Sequence, residues 1–373
     1  MLLNGRGHMD IFNLIAIAKS KNASDLHLSV GSPPLIRVNG ALTRIDNLNP
    51  LTVAELDAAF RQIVSTEGLS KFQDHCELDF KHLLADGTTL RCNAAQERGQ
   101  LSLSIRLLPP NVPSLDELQL PEICKKLARL ERGLIIVAGP TGSGKTTTQA
   151  AMINYINTTQ TRHILSFEDP IEYSHASILS KVTQRELGSD TFSFAEGLRH
   201  ALRHDPDVIV VGEVRDSETA AAMISMAETG HLVISTSHAP YAAQAVERII
   251  DLFPYAERFS VQMRLASLLN AVLCQTLVPR ASGTGRIAAV EIMMVNSAIR
   301  NLIRESKLTM LSGALSDYGD SGNVSLDEAL FKLYWDGIIT QDMAFKYCHS
   351  QEEINNLIRH QLTNNYTAVK RIT

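Results

Sequence analysis

Several things are scarce in this 373-residue chain, and each scarcity excludes a class of protein. Cysteine is one: five residues stand at 76, 92, 124, 274 and 348, an odd number with no CxxC pair. Neither a secreted disulfide framework nor a paired-cysteine zinc site fits that pattern, and a reducing compartment does. Long apolar runs are missing as well. Stretches such as Leu134–Ala138 and Val208–Val211 are far too short to span a bilayer as a helix. Positive charge is not in excess either: the formal net charge is −5, the residues up to Pro110 are balanced, and the surplus of acid lies beyond them. With aromatics at only 5% and no aromatic–basic patches, neither duplex binding through a basic surface nor base stacking along a single strand is favoured. No apolar signal-peptide core follows the start, since Met1–His8 is polar and Gly-rich. Residues 1–8 are read as an upstream start or a tag remnant, because a helix-like stretch begins at Met9. What remains is ordinary. Apolar residues at 45% and charged residues at 20% describe a globular chain with length for two domains.

The organisation along the chain agrees with two domains. Ile11, Leu14, Ile15 and Ala18 recur at helical spacing. Two apolar-alternating runs, Leu35–Val38 and Ala41–Ile45, flank Asn39-Gly40, whose tolerance of positive φ makes it a strong hairpin signal. A helical stretch over Val53–Val64 and strand-like runs at Glu77–Lys81, Thr88–Ala94 and Leu101–Leu107 complete a small α+β domain over 9–108. Three prolines in the five residues 109–113 predict a stiff linker. Over 114–373 strand and helix signals alternate: Leu134–Ala138, Lys145–Ile156, His163–Phe167, Phe194–Arg203, Val208–Val211, Ser217–Glu228 and His231–Ser235. Such alternation builds a mostly parallel sheet covered by helices, an α/β fold. From about residue 297 the pattern is mainly helical.

The sharpest chemical signal is Gly139-Pro140-Thr141-Gly142-Ser143-Gly144-Lys145-Thr146, followed by Thr147. It has the GxxxxGK[ST] spacing, with a buried strand before it and a helix after it. Its glycines let backbone N–H groups wrap phosphates, Lys145 brings a point charge to the β- and γ-phosphates, and Thr146 offers a hydroxyl to Mg²⁺. A plain Gly-rich turn accounts for neither Lys145 nor Thr146. The four β-branched residues Val208–Val211 run toward Glu213, which places its carboxylate at the ligand-binding edge of a parallel sheet. There it could hold the metal, directly or through water, or remain a solvated strand-end acid. Phe167-Glu168-Asp169-Pro170-Ile171-Glu172-Tyr173 sets three carboxylates after another strand, and Glu168 could polarise the attacking water or be a loop acid. The run from Thr229 to His238 carries a histidine near each end of a strand, His231 and His238. Their odd spacing points them to opposite faces, so one of the two faces the nucleotide.

Those four blocks, GPTGSGKT, FEDPIEY, DPDVIVVGEVRD and AETGHLVISTSHA, stand in the order of the Walker A, Asp, Walker B and His boxes of the secretion-superfamily ATPases. Together with AIRNLIRE at Ala298–Glu305, ASDLHL at Ala23–Leu28 and GSPPLIRVNG at Gly31–Gly40, the chain resembles the type IV pilus retraction ATPases, the PilT family. The resemblance implies a PAS-like N-terminal domain joined to a RecA-like P-loop ATPase domain with a helical C-terminal segment. It further implies a homohexamer on the cytoplasmic side of the inner membrane, touching the membrane only through partners. ATP and Mg²⁺ are the implied substrate and cofactor, and the implied partners are an inner-membrane platform protein and, in some systems, a second retraction ATPase. By position, Lys145 and Thr146 take the phosphate and Mg²⁺ roles, Glu213 the Walker B role and Glu168 that of general base. His231 takes the place of the His-box histidine that senses the nucleotide. Arg91 and Arg106, on two strand-like runs, match the arginines that the small domain brings to the phosphates. One departure stands out: the family's Leu-His-Thr is here Ser237-His238-Ala239 followed by Pro240, so His238 is retained without its neighbours and its role stays open.

Three rivals are weighed against this reading. A pilus-assembly or type II secretion ATPase of the same superfamily usually has an extra N-terminal domain and often a tetracysteine site, and this chain shows neither pattern. A non-hydrolysing accessory subunit need not keep Lys145, Thr146, Glu168 and Glu213. A DNA-handling helicase is disfavoured by the charge balance.

Overall fold

The computed structural model describes residues 10–38, 40–108, 111–315 and 322–370, with side chains up to 363. The tag-like residues 1–8 and the first two linker prolines, Pro109 and Pro110, lie outside them. The chain forms two compact units, one up to Asn111 and one from Val112.

In the first unit the apolar stripe of α1 (Ile11–Ser20) buries Ile11, Leu14, Ile15 and Ala18. Strands β1 (Asp25–Ser29), β2 (Leu35–Val38) and β3 (Ala41–Arg44) follow. Val38 pairs with Ala41, so β2 and β3 are joined by a two-residue turn, although Asn39 itself is outside the described residues. Next come α2 (Val53–Ile63) and α3 (Thr66–His75). A capping box starts α2, with the Thr52 side chain accepting from the Glu55 amide and Glu55 reaching back to the Thr52 amide. Strands β4 (Glu77–Leu83), β5 (Thr89–Glu97) and β6 (Gln100–Leu108) complete an antiparallel sheet in the order β3-β2-β1-β6-β5-β4. Leu56, Phe60, Leu90 and Ile105 join the α1 stripe in one core, each such side chain contributing about 1.5–3 kcal/mol by leaving water. This is the PAS-like half of the fold.

The second unit opens with α4 (Ile123–Ala128), β7 (Gly133–Ala138), α5 (Lys145–Thr159), β8 (His163–Glu168) and β9 (Lys181–Glu186). It continues with α6 (Phe194–Ala201), β10 (Val208–Val211), α7 (Ser217–Glu228), β11 (Leu232–Ser237), α8 (Ala242–Asp251) and α9 (Tyr255–Leu268). Then come the long strands β12 (Leu269–Pro279) and β13 (Arg286–Met294). The sheet runs β13-β12-β7-β11-β10-β8-β9. Every neighbouring pair is parallel except β12 with β13. Every residue of β7 and β10 is buried, as central strands covered on both faces must be. One face carries α5 over Ile135, Val137, Val210 and Ile234. The other carries α7 and α8 over Leu134, Ile136 and Val233. This is the RecA-like ATPase half. Helices α10 (Ser297–Arg304), α11 (Leu311–Leu315), α12 (Leu326–Trp335), α13 (Gln341–Tyr347) and α14 (Gln351–Lys370) close the chain. The AIRNLIRE run lies in and just beyond α10, which buries Ile299 and Ile303 and exposes Arg304. Among the described residues no helix is long and apolar enough to cross a membrane.

Candidate active site

Because β7, β8, β10 and β11 run parallel, the segments after them all emerge at one edge of the sheet. The loop after β7 is shaped by its glycines. Gly139 has φ +142°, and a Cβ there would stand 2.5 Å from both the Gln275 carbonyl oxygen and the Ser143 hydroxyl. Gly142 and Gly144 have φ +78° and +89°. Gly144 caps α5 without any side-chain bond, so the first-turn amides of that helix are left to an outside acceptor. Ser143 Oγ is buried and has no partner among the described residues. An orphaned hydroxyl, uncapped amides and a glycine cradle fit a polyphosphate.

Lys145 opens α5 and is buried. Its Nζ donates to the carbonyls of Gly139 at 2.9 Å and Pro140 at 3.0 Å, which holds it inside the loop. Burial pushes this ammonium below the usual lysine range, and the Glu213 carboxylate opposes the shift. Thr146, next in the helix, is half-buried. Thr147 Oγ1 lies 3.1 Å from the Tyr173 hydroxyl, tying α5 to the segment after β8. Deeper in α5, Gln149 Nε2 donates to the carbonyls of Val211 and Ile234, each at 3.4 Å, fixing the helix over β10 and β11. Gln275 on β12 donates to Thr148 Oγ1 at 2.9 Å and secures its other side.

The two acids arrive at the same edge. Glu168 ends β8 and is buried, accepting from Ser166 Oγ at 2.7 Å and Gln184 Nε2 at 2.9 Å. Glu213 lies two residues past β10 and is ion-paired with Arg215. Its other oxygen faces His238 Nε2 at 3.2 Å. The opposite ring nitrogen, Nδ1, is 3.5 Å from both Lys145 Nζ and Thr141 Oγ1. An ammonium can only donate, so Nδ1 accepts and the ring proton resides on Nε2, directed at Glu213. His238 therefore links the phosphate-loop lysine to the acid after β10.

The structure places His231 away from its own chain's phosphate loop. That residue precedes Leu232, at the start of β11, and six residue steps of strand, about 20 Å, separate it from Ser237. Its Nδ1 lies 3.0 Å from both the Met226 carbonyl and Thr229 Oγ1, a local turn contact at the edge opposite its own chain's phosphate loop. Of the two histidines, His238 stands at the edge of the phosphate loop. The strand expected over His231–Ser235 pairs over Leu232–Ser237, with His231 before its start and His238 past its end.

In the first unit, Arg91 on β5 and Arg106 on β6 are direct cross-strand partners. Arg106 Nε donates to the buried Asp25 Oδ1 at 2.8 Å. The Arg91 guanidinium has no partner among the described residues. The strands thus set one anchored and one free cation side by side. Among the described residues no three acids, histidines or cysteines gather as a metal cluster. One hydroxyl, Thr146, and one carboxylate, Glu213, match instead the sparse protein ligation typical of nucleotide-bound Mg²⁺. On residue spacing His231 and His238 stand as alternatives, and the sequence does not single out Arg215, Gln149 or Gln275. Only Gln275, a polar residue amid the apolar Leu269–Val278 run, left a visible trace.

Comparison with known proteins gives the following. Residues 99–298 match the family described as type II/IV secretion system protein. The type IV pilus retraction ATPase PilT of Pseudomonas aeruginosa is 43% identical over 336 residues, 90% of this chain and 97% of that protein. The type IV pilus ATPase PilU of the same species is 38% identical, over 94% of this chain and 92% of that one. The crystal structure of the pilus retraction motor PilT with bound ADP superposes with a TM-score of 0.83 at 38% identity, covering 94% of this chain and all of that one.

Proposed function

Since the chain belongs to the type II/IV secretion system protein family, among its type IV pilus retraction ATPases, we propose that it works as a homohexameric, Mg²⁺-dependent motor that hydrolyses ATP to withdraw pilin subunits. It acts at the cytoplasmic face of the inner membrane, through a platform protein and, where one is present, beside a second retraction ATPase. The observation that carries this reading is the contact chain Lys145–His238–Glu213 at the phosphate loop.

ATP lays its β- and γ-phosphates on the amides of residues 139–144, and Lys145 exchanges the Gly139 and Pro140 carbonyls for phosphate oxygens. Thr146 and Glu213 would hold Mg²⁺, which would supply positive charge against the phosphate oxygens. Glu168 orients water in line with the γ-phosphorus and takes its proton as the new P–O bond forms and the β,γ-bridging bond breaks, leaving ADP and inorganic phosphate. His238 reports γ-phosphate occupancy from Lys145 to Glu213. Arg91 reaches the phosphates when the two units close, beside an Arg106 anchored on Asp25, so that hydrolysis and closure are coupled, the minimum a motor needs.

Purified protein should release phosphate from ATP and Lys145→Ala should not; equal rates in the two would refute the enzyme reading. Deleting the gene should leave abundant pili and no twitching. A bald cell would instead assign the chain to assembly.

A further inference from the structure

On the face of the sheet opposite α5 lies a cavity of about 340 Å³. Ile136, Ile249 and Leu252 supply its apolar surface, and its polar lining includes Arg215, Ser235, His238 and Arg248. No residue of the phosphate loop after β7 or of α5 lines it.

Two features of it ask for an anion. Ser235 is 1% exposed, and its hydroxyl has no hydrogen-bond partner among the described residues. Its neighbours across the sheet, Ile136 on β7 and Val211 on β10, offer none from their side chains. Leaving a buried hydroxyl unmade costs about 1–3 kcal/mol, so a ligand that accepts from it recovers that loss. The Arg248 guanidinium, one helix away, makes no ion pair or hydrogen bond among the described residues. Arg215 adds a second guanidinium, now spent on Glu213. Forked donors of this kind match tetrahedral oxyanions, and the apolar walls strengthen the attraction by lowering the local dielectric.

The position says which anion. His238 lines the cavity and also stands 3.5 Å from Lys145 Nζ and 3.2 Å from Glu213 Oε2. A single imidazole therefore separates the site of γ-phosphate cleavage from the cavity. Resting on the ATPase reading above, we infer that the cavity is a phosphate site on an exit route: inorganic phosphate cleaved at the loop passes His238 and binds Arg248, Ser235 and Arg215 before leaving on the α8 side. Arg215 has one guanidinium to share between Glu213 and that phosphate. Phosphate in the cavity then loosens the Arg215–Glu213 pair, and the acid is reset only after phosphate departs.

Two measurements on the full-length protein test this. In the first, inorganic phosphate is titrated calorimetrically into Lys145→Ala, which weakens the loop site. One phosphate per chain should bind, at least tenfold more weakly once Arg248→Gln is added and several-fold more weakly with Ser235→Ala. No binding to Lys145→Ala, or the same affinity in both combined variants, overturns the inference. In the second, steady-state rates are followed with added phosphate. Inhibition of the wild type should be noncompetitive against ATP, and Arg248→Gln should raise the inhibition constant at least tenfold while KM for ATP stays within twofold. Purely competitive inhibition, unchanged by Arg248→Gln, places phosphate on the loop alone and overturns it. If the wild type proves not to hydrolyse ATP, the functional reading fails, and the calorimetric result still decides whether the cavity binds phosphate.

Discussion

The paired arginines of the first unit separate stability from catalysis in a way that single substitutions can measure. Arg106 is committed: its Nε holds Asp25 Oδ1 at 2.8 Å, and Asp25 is 6% exposed. Arg106→Ala leaves that carboxylate with Ser24 Oγ at 2.7 Å and Arg37 Nε at 3.9 Å. A hydrogen bond to a charged group is worth about 1.5–3 kcal/mol. Because the Arg106 side chain is 54% exposed, solvent screens part of this, and a loss of about 1–2 kcal/mol is expected. Arg91→Ala breaks no bond and relieves a like-charge cross-strand pair, so stability should move by less than about 0.5 kcal/mol. Catalysis should show the reverse order. A free arginine that reaches the γ-phosphoryl is worth about 10³-fold or more in turnover, or about 4 kcal/mol. Arg91→Ala should therefore lower kcat by about 10³ while fluorescent ADP affinity changes less than tenfold. Urea melts, phosphate-release rates and nucleotide titrations on both variants complete the test. If Arg91→Ala weakened nucleotide binding as much as turnover, or destabilised the fold by more than about 1 kcal/mol, the two arginines would not divide stability from catalysis.

Further expectations concern the second unit and acid stability. Glu213→Gln should retain nucleotide but lower turnover by about 10²–10⁴, read as trapped fluorescent ATP without phosphate release. Chelation with EDTA should stop turnover and added Mg²⁺ restore it, with Thr146→Ala needing more Mg²⁺ for half-maximal rate; turnover that persists in EDTA would remove the metal from the reading. Gly139→Ala, forced into a left-handed φ with its Cβ 2.5 Å from a carbonyl oxygen, should cost about 1–3 kcal/mol and much of the nucleotide affinity. Burial raises the Asp25 pKa, but hydrogen bonds from Ser24 and Arg106 outweigh it and hold the carboxyl below its ordinary 3.8. A depressed carboxylate stabilises the fold above its unfolded pKa, and that contribution is lost as pH falls through the folded value. Thermal melts from pH 6 downward should thus show the wild type losing stability below about pH 4 more steeply than Asp25→Asn, and parallel curves would contradict the assignment.

How far the sequence could be read depended on whether a segment's chemistry was local. The phosphate loop was legible because its glycines, Lys145 and Thr146 are contiguous, and the β2–β3 turn because two residues decide it. Strand β9 was not: Lys181–Glu186 holds one valine among polar residues, since an edge strand needs little apolar surface. Strand β12 escaped for the opposite reason. Its nearly unbroken apolar run carries no period to distinguish strand from buried helix. The histidines needed the direction of the strand. His231 precedes β11 and His238 follows it, so the parallel sheet puts them at opposite edges, and only His238 shares the edge of the phosphate loop. Arg215 and Gln149 were invisible because their partners, Glu213 and the β10 and β11 carbonyls, are brought to them only by the sheet.

The bonds at the phosphate-loop edge show which of its charged groups are already committed among the described residues. Glu168 is occupied by Ser166 and Gln184, Glu213 by Arg215 and His238, and Lys145 by the carbonyls of its own loop. When ATP draws Lys145 onto its phosphates, one committed cation faces a γ-phosphoryl whose charge must be balanced as it transfers. Arg215 can help only by abandoning Glu213, and His238 is held between Lys145 and Glu213. Among these bonded groups no guanidinium is uncommitted, and a guanidinium is the group that fits three equatorial oxygens best. The first unit holds one with no competing partner, Arg91, kept beside an anchored neighbour. If that complement is real, isolated residues 112–373 should bind nucleotide yet turn over about 10³-fold more slowly than the full chain, the same deficit as Arg91→Ala. A fragment as active as the whole would mean that the second unit finds its missing charge within itself, and the link between closure and hydrolysis would have to be sought elsewhere.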